Sequence, residues 1–183
     1  MYGSILASYL TDKPFRLFDH INVKTIEPSF KVHTDWSAER TNQLREKVRP
    51  NQTGGYFLLH SGVEEQSPGK VPFLGKVFVL IDGGTFSTAA DFCAVVHHLK
   101  RATFIGEETG GAYYGNNSGI LARVTLPKSK FQIRLPIYEY WNAVSGYEGK
   151  RRGTIPDYVV ETKVENLLRG VDPQLELALR LAN

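Results

Sequence analysis

Three hydroxyl side chains fall within four residues at Thr85-Phe86-Ser87-Thr88, and their neighbours decide what they could do. Ahead lies Val77-Phe78-Val79-Leu80-Ile81, an apolar run rich in β-branched residues and too short for a helix, which reads as a buried strand. Asp82-Gly83-Gly84 breaks it with a turn that permits positive φ. Behind lies a helical run, Ala89 to Lys100. The order strand, glycine turn, hydroxyl, helix puts an Oγ at the end of a sheet and at the positive end of a helix dipole. The first helical N–H groups have no intrahelical acceptor, so they could stabilise the oxyanion formed when that hydroxyl attacks a carbonyl. This is the chemistry of a nucleophilic serine without the G-x-S-x-G elbow, since Ser87 is flanked by Thr85 and Ala89. The same spacing fits plain helix capping by Ser87 or Thr88, with Asp91 completing an Asp variant of the capping box. Spacing alone leaves both readings open.

A serine hydroxyl is a weak nucleophile until a base takes its proton. The histidines are His20, His33, His60, His97 and His98. His97 and His98 lie three turns along the helix from Ser87, roughly 15 Å at helical rise, too far for direct transfer. His60, at a strand end before a polar loop, is the best-placed base within the chain, and strand-end histidines are usually just satisfied polar groups. His20 and His33 belong to no motif. Glu107, Glu108 and Glu148 read as turn and loop carboxylates without a derived role. Cys93, the only cysteine, falls among Ala89, Ala90, Phe92 and Val96 and reads as a buried small hydrophobe. No Cys/His spacing suggests zinc, and no cofactor is implied.

The elements that must hold this turn follow from composition and pattern. With 183 residues, 42% hydrophobic and 22% charged, the chain suits one domain with an ordinary core. The net charge of +3 is scattered apart from Lys150-Arg151-Arg152, which reads as a solvated loop, so nucleic-acid binding finds no support. No apolar run approaches the length of a membrane span, and Met1-Tyr2-Gly3-Ser4 does not open like a signal peptide. Ile5–Leu10 should end a short helix, Phe15–Ile26 form a strand and Ala38–Val48 a polar surface or lid helix capped by Asp35 or Ser37. Tyr56–Leu59 and Ala102–Ile105 read as strands. Gly119–Leu126 and Lys130–Tyr140 read as a pair joined through Pro127-Lys128-Ser129, and Tyr158–Glu161 as a last strand. Val164–Leu168 and Pro173–Leu181 should close the chain as helices, the second capped by Asp172, with Leu175, Leu177, Leu179 and Leu181 as its apolar positions.

Residues 75–160 resemble the catalytic core of the C-terminal processing peptidases, the tail-specific serine proteases that include the tricorn protease. The resemblance rests on the strand Val77–Ile81, the turn Gly84-Thr85-Phe86-Ser87, the helix, Arg101-Ala102, Gly106-Glu107-Glu108-Thr109 and Gly153-Thr154-Ile155-Pro156-Asp157. Its ungapped register from Ser87 to Thr109 implies that Ser87 is the nucleophile rather than Thr85 or Thr88. One position departs: where many members carry a lysine after the Gly-x-x-Thr turn, this chain has Ala112, which cannot take a proton. Tricorn-like members lack that lysine too and use a histidine from an earlier segment, so a Ser–His arrangement is the expected form.

The resemblance implies an α/β fold with a ClpP/crotonase-like core, a mixed β-sheet and flanking helices. It implies a serine endopeptidase acting on unfolded or C-terminal peptide segments through Ser87, with the N–H of Thr88 as one oxyanion donor. The other donor would be a glycine, and the base a histidine, both from a segment before Met1. On this expectation residues 1–183 are a single peptidase-like domain fragment, inactive or nearly so in isolation, and the edge of a core strand could hold the peptide by strand addition. The expected partner is a peptide or unfolded protein, and the family suggests the cell envelope or periplasm. The alternative is a non-catalytic ligand- or peptide-binding module on the same fold, which the alanine at position 112 favours.

Overall fold

The computed structural model describes residues 2–149 and 151–183. Helix α1 (Tyr2–Ser8) leads into strand β1 (Phe18–Val23), helix α2 (Ala38–Glu46) and the short strands β2 (Val48–Pro50) and β3 (Tyr56–Leu58). Then come β4 (Phe78–Ile81), α3 (Thr88–His98), β5 (Thr103–Gly106) and β6 (Gly115–Asn116). Strands β7 (Leu121–Thr125), β8 (Gln132–Pro136), β9 (Tyr138–Asn142) and β10 (Tyr158–Val159) precede the closing helices α4 (Val164–Leu168) and α5 (Pro173–Ala182).

Among the described residues three sheets result. β10-β5-β4 is parallel, β2-β3-β1-β9-β6 is antiparallel throughout, and β7-β8 is a hairpin. The α/β class expected from the sequence is the one observed. α3 is buried through Ala90, Cys93, Ala94, Val95 and Val96, and joins Phe18, Ile21, Ile81 and Phe104 in the main core. A helix apolar on most sides has to be covered on most sides; α1 packs on α3 and so does β9. The ends of α3 are its most exposed parts, and Ser87 stands before one of them.

Several local expectations are corrected. Lys130–Tyr140 is two strands: Pro136, with no N–H to donate, ends β8, and β9 joins a different sheet. α5 faces the core through Gln174 and Ala178, leaving Leu175 and Leu179 exposed; its Gln174 Nε2 donates to Val160 O at 3.2 Å. α2 is the polar surface helix expected, capped by Ser37, one of the two candidates. Its Thr41 and Leu44 are buried, and Trp36 Nε1 donates to Thr41 Oγ1 at 3.0 Å.

The motifs that looked separate in sequence clasp one another. Thr109 Oγ1 donates to Gly111 O and accepts from Thr154 N, each at 2.8 Å, while Thr109 N donates to Thr154 O at 3.1 Å. Gly153 is pressed so close that a Cβ there would overlap Thr109 O. Asp157 Oδ2 accepts from Phe104 N at 2.7 Å, tying the second motif to β5. Arg101 satisfies the carbonyls of Leu10, Phe73 and Gly75, joining the end of α1 to the entry of β4. Arg152 forms a forked ion pair with Glu108, whose Oε1 also accepts from Gly153 N at 2.8 Å. The basic cluster is therefore no uniformly solvated loop: Arg152 is engaged, Arg151 borders a cleft, and Lys150 lies outside the described residues.

Candidate active site

The turn that carries the hydroxyls is built from Asp82. Its Oδ1 accepts from Gly84 N at 2.8 Å and its O from Thr85 N at 3.0 Å, while Thr85 Oγ1 accepts from Asp82 N at 3.2 Å. Thr85 is thus spent inside the turn. Ser87 follows with φ 53° and ψ −134°, a backbone region that L side chains seldom occupy, and its side chain is exposed. It holds the position before α3 yet makes no side-chain capping bond. The capping box is not formed either, because the Asp91 carboxylate turns inward to Asn116. A polar residue in a costly conformation, without the bond that would explain it, is kept there by its surroundings.

Those surroundings are the Gly-x-x-Thr turn. Gly111 N donates to Thr85 O at 3.0 Å, and a Cβ on Gly111 would overlap Ala90 Cβ and come within 3.5 Å of Ser87 N. Thr88 begins α3, where N–H groups have no helical acceptor, and its side chain is exposed against Gly3 of α1. Ala112, next after Gly111, bridges to Gly153 and opens a cleft of about 680 Å³. Tyr114, Asn116, Tyr140, Trp141, Glu139 and Arg151 line it. Its walls are aromatic with a carboxylate and a guanidinium among them, a pattern suited to an extended chain with apolar side chains.

The histidines are dispersed. His60 Nδ1 accepts from Gly62 N at 3.0 Å, which puts the ring proton of the neutral form on Nε2 and leaves neither nitrogen free to take another. Burial also holds it below the usual histidine range. His97 is paired with Tyr113 Oη at 2.9 Å, at the far end of α3, and burial lowers it as well. Tyr140 and Asn142 turn toward Asp91 on α3, so Trp141 between them faces the opposite side of the sheet. His20 stacks at 5.7 Å on Trp141, a residue of the cleft's wall, and its Nδ1 is taken up by Asp19 at 2.7 Å. His33 and His98 are exposed, the former in a short 3-10 turn. Cys93 is buried and its thiol is pushed up to about 12 by burial, so it is inert. Among the described residues no group of three His, Cys, Asp or Glu is placed to hold a metal, and no helix is long and apolar enough to cross a membrane.

Sequence reading did not single out Asp91 beyond its capping role. It is 3% exposed, and burial pushes its carboxyl up to about 6 against the Asn142 and Asn116 amides, which hold it down. An acidic residue amid Ala90, Cys93 and Ala94 on an otherwise apolar helix face was the available signal.

A strand, a strained serine turn and a helix, with an aromatic cleft opening at Ala112, define the class: an α/β domain with an exposed hydroxyl at a helix N-terminus. The model of peptidase family S41 matches residues 22–160, and the chain belongs to that family. The family is one of peptidases. No curated protein matches the chain. Among solved structures, a candidate peptidase from Parabacteroides merdae is similar over 99% of this chain and 47% of its own, with TM-score 0.59 and 20% identity. Mature CPAF complexed with lactacystin is similar over 99% of this chain and 40% of its own, with TM-score 0.58 and 17% identity. Mature CPAF by itself gives TM-score 0.53 and 18% identity over 90% of this chain and 37% of its own. These likenesses show the fold, and the chain spans less than half the length of each.

Proposed function

We propose that this chain carries the nucleophile of a serine endopeptidase, with Ser87 attacking the scissile carbonyl of an unfolded or C-terminal peptide segment. The observation that carries the reading is Ser87 itself, exposed and uncapped at φ 53° and ψ −134° before the N-terminus of α3. In the attack a base takes the Oγ proton, an Oγ–C bond forms and the carbonyl oxygen becomes an oxyanion facing the N–H of Thr88. The C–N bond then breaks as the proton passes to the leaving amine, and water releases the acyl group from Ser87. Thr85 is occupied within its turn, and the engagements of His60 and His97 support a histidine from outside residues 1–183 as the base. β6 lies at a sheet edge and borders the cleft, so a substrate strand laid along it would run past Ala112 toward the hydroxyl.

The test is labelling of the folded protein by a fluorophosphonate probe, followed by peptide mapping and by cleavage of an unfolded substrate protein. Modification at Ser87, absent in Ser87→Ala, is expected. A folded protein, supplied with its complete chain, that stays unlabelled would end the reading. Ala112 at the lysine position supports a second one, a peptide-binding module without hydrolysis. That module would bind an extended peptide in the cleft, read by Trp141 fluorescence, without turnover and with an affinity that Ser87→Ala leaves unchanged.

A further inference from the structure

Asp91 is a buried carboxyl that the chemistry above leaves unused. It lies one turn along α3 from Ser87, and its N–H donates to Ser87 O at 3.0 Å. Burial has removed its water, and no ion pair to it forms among the described residues. Its partners are amides from across the site. Asn116 Nδ2 donates to Oδ1 at 2.9 Å and to Oδ2 at 3.1 Å. Asn142 also faces it, 3% exposed, with its Nδ2 donating to Tyr113 O at 3.0 Å. The Oδ1 atoms of Asn116 and Asn142 are both buried without a partner. A carboxyl buried without a cation is a poor stabiliser, and a polar cluster is costly unless complete. Its position gives it another use. Asn116 lines the cleft, and its strand β6 is two residues long and paired only with β9, so few backbone bonds fix that wall.

We propose that Asp91 is a positioning residue: by holding the Asn116 amide it sets the distance between the cleft wall at β6 and the Ser87 hydroxyl. This rests on the peptidase reading of the same site. The link depends on a proton. A neutral Asp91 has one O–H to offer, which would supply the donor that Asn116 Oδ1 or Asn142 Oδ1 lacks; the carboxylate has none. Facing it are Tyr140 of β9, raised by burial and by the charge of Asp91, and Cys93 of its own helix. α1, packed on α3, brings no charged side chain.

The experiment combines two readouts on the same folded protein. The side-chain amide resonances of Asn116, identified by their loss in Asn116→Ala, are followed from pH 4.5 to 8. Fluorophosphonate labelling at Ser87 is timed for the unsubstituted chain, Asp91→Asn and Asp91→Ala, with folding checked by circular dichroism. The Asn116 signals should titrate near pH 6 and stop doing so in Asp91→Asn. Asp91→Ala should label about tenfold more slowly, because displacing reacting groups by an ångström costs one to two powers of ten. Asp91→Asn, which keeps an acceptor for Asn116 and a donor for Asn142, should stay within about threefold of the unsubstituted rate. Equal labelling by the unsubstituted chain and folded Asp91→Ala, or Asn116 signals indifferent to pH, would overturn the inference while leaving the peptidase reading intact. An unsubstituted, folded protein supplied with its complete chain that never labels would overturn both.

Discussion

Replacing Ser87 separates backbone strain from chemistry. At φ 53° and ψ −134° any residue with a Cβ is disfavoured, and such a conformation costs about 1–3 kcal/mol. Glycine escapes that cost and gives back about 0.5–1 kcal/mol in lost chain freedom. Ser87→Gly should therefore be more stable than Ser87→Ala by about 1 kcal/mol. Ser87→Ala itself should lie within about 0.5 kcal/mol of the unsubstituted chain, because the side chain is exposed and makes no capping bond. Alanine at a working N-cap would instead lose about 1 kcal/mol. Urea unfolding measures the difference: with a slope of about 2 kcal/mol per molar, Ser87→Gly should unfold about 0.5 M later than Ser87→Ala. In thermal melts the gap should be about 2–4 °C. Both variants should lose fluorophosphonate labelling. If Ser87→Ala drops by about 1 kcal/mol and Ser87→Gly gains nothing over it, the hydroxyl is a cap and the turn holds no strain, and the reasoning fails.

Thr109→Val removes two hydrogen bonds of a buried hydroxyl and orphans Thr154 N, so it should cost about 2–3 kcal/mol in urea unfolding. A loss below about 0.5 kcal/mol would mean that the clasp between the two motifs matters little. Gly111→Ala forces its Cβ into Ala90 beside Ser87 N, and should slow labelling at Ser87 about tenfold or more. Labelling at the original rate would show that the turn can yield without consequence. Asp91→Asn tests the pH dependence of stability. The folded carboxyl sits at about 6 against 3.8 for a free one, so the fold holds its proton over that window. Its contribution is full below pH 3.8 and is lost as pH rises through about 6, a change of about 3 kcal/mol. Asp91→Asn should hence gain stability over the unsubstituted chain at pH 8 relative to pH 4, read from urea midpoints. An equal difference at the two pH values would contradict the burial argument.

Much of the site was legible from local pattern. Val77–Ile81 had to be a strand because it is short, apolar and β-branched, and Ala89–Lys100 a helix because its small and apolar residues cover its faces. Gly83-Gly84 between them left room for an unusual turn, and the position of Ser87 followed. Elsewhere locality misled in part: of the four leucines of α5, Leu177 and Leu181 are half-buried, while Leu175 and Leu179 stay exposed and Gln174 and Ala178 take the buried positions.

Order along the chain therefore determined the strand, the turn, the helix and the residue offered between them, since each depends on neighbours a few positions apart. Tertiary structure alone decided the rest. Whether the hydroxyl of Ser87 caps or stands free depends on Gly111 and Thr85 meeting across the turn, while Thr109 and Thr154 clasp across 45 residues of chain. Whether Asp91 helps a cap or grips the cleft wall depends on Asn116, 25 residues away. Such partners meet only when sheets and helices pack, and no period in the sequence reports which side chains that packing brings face to face.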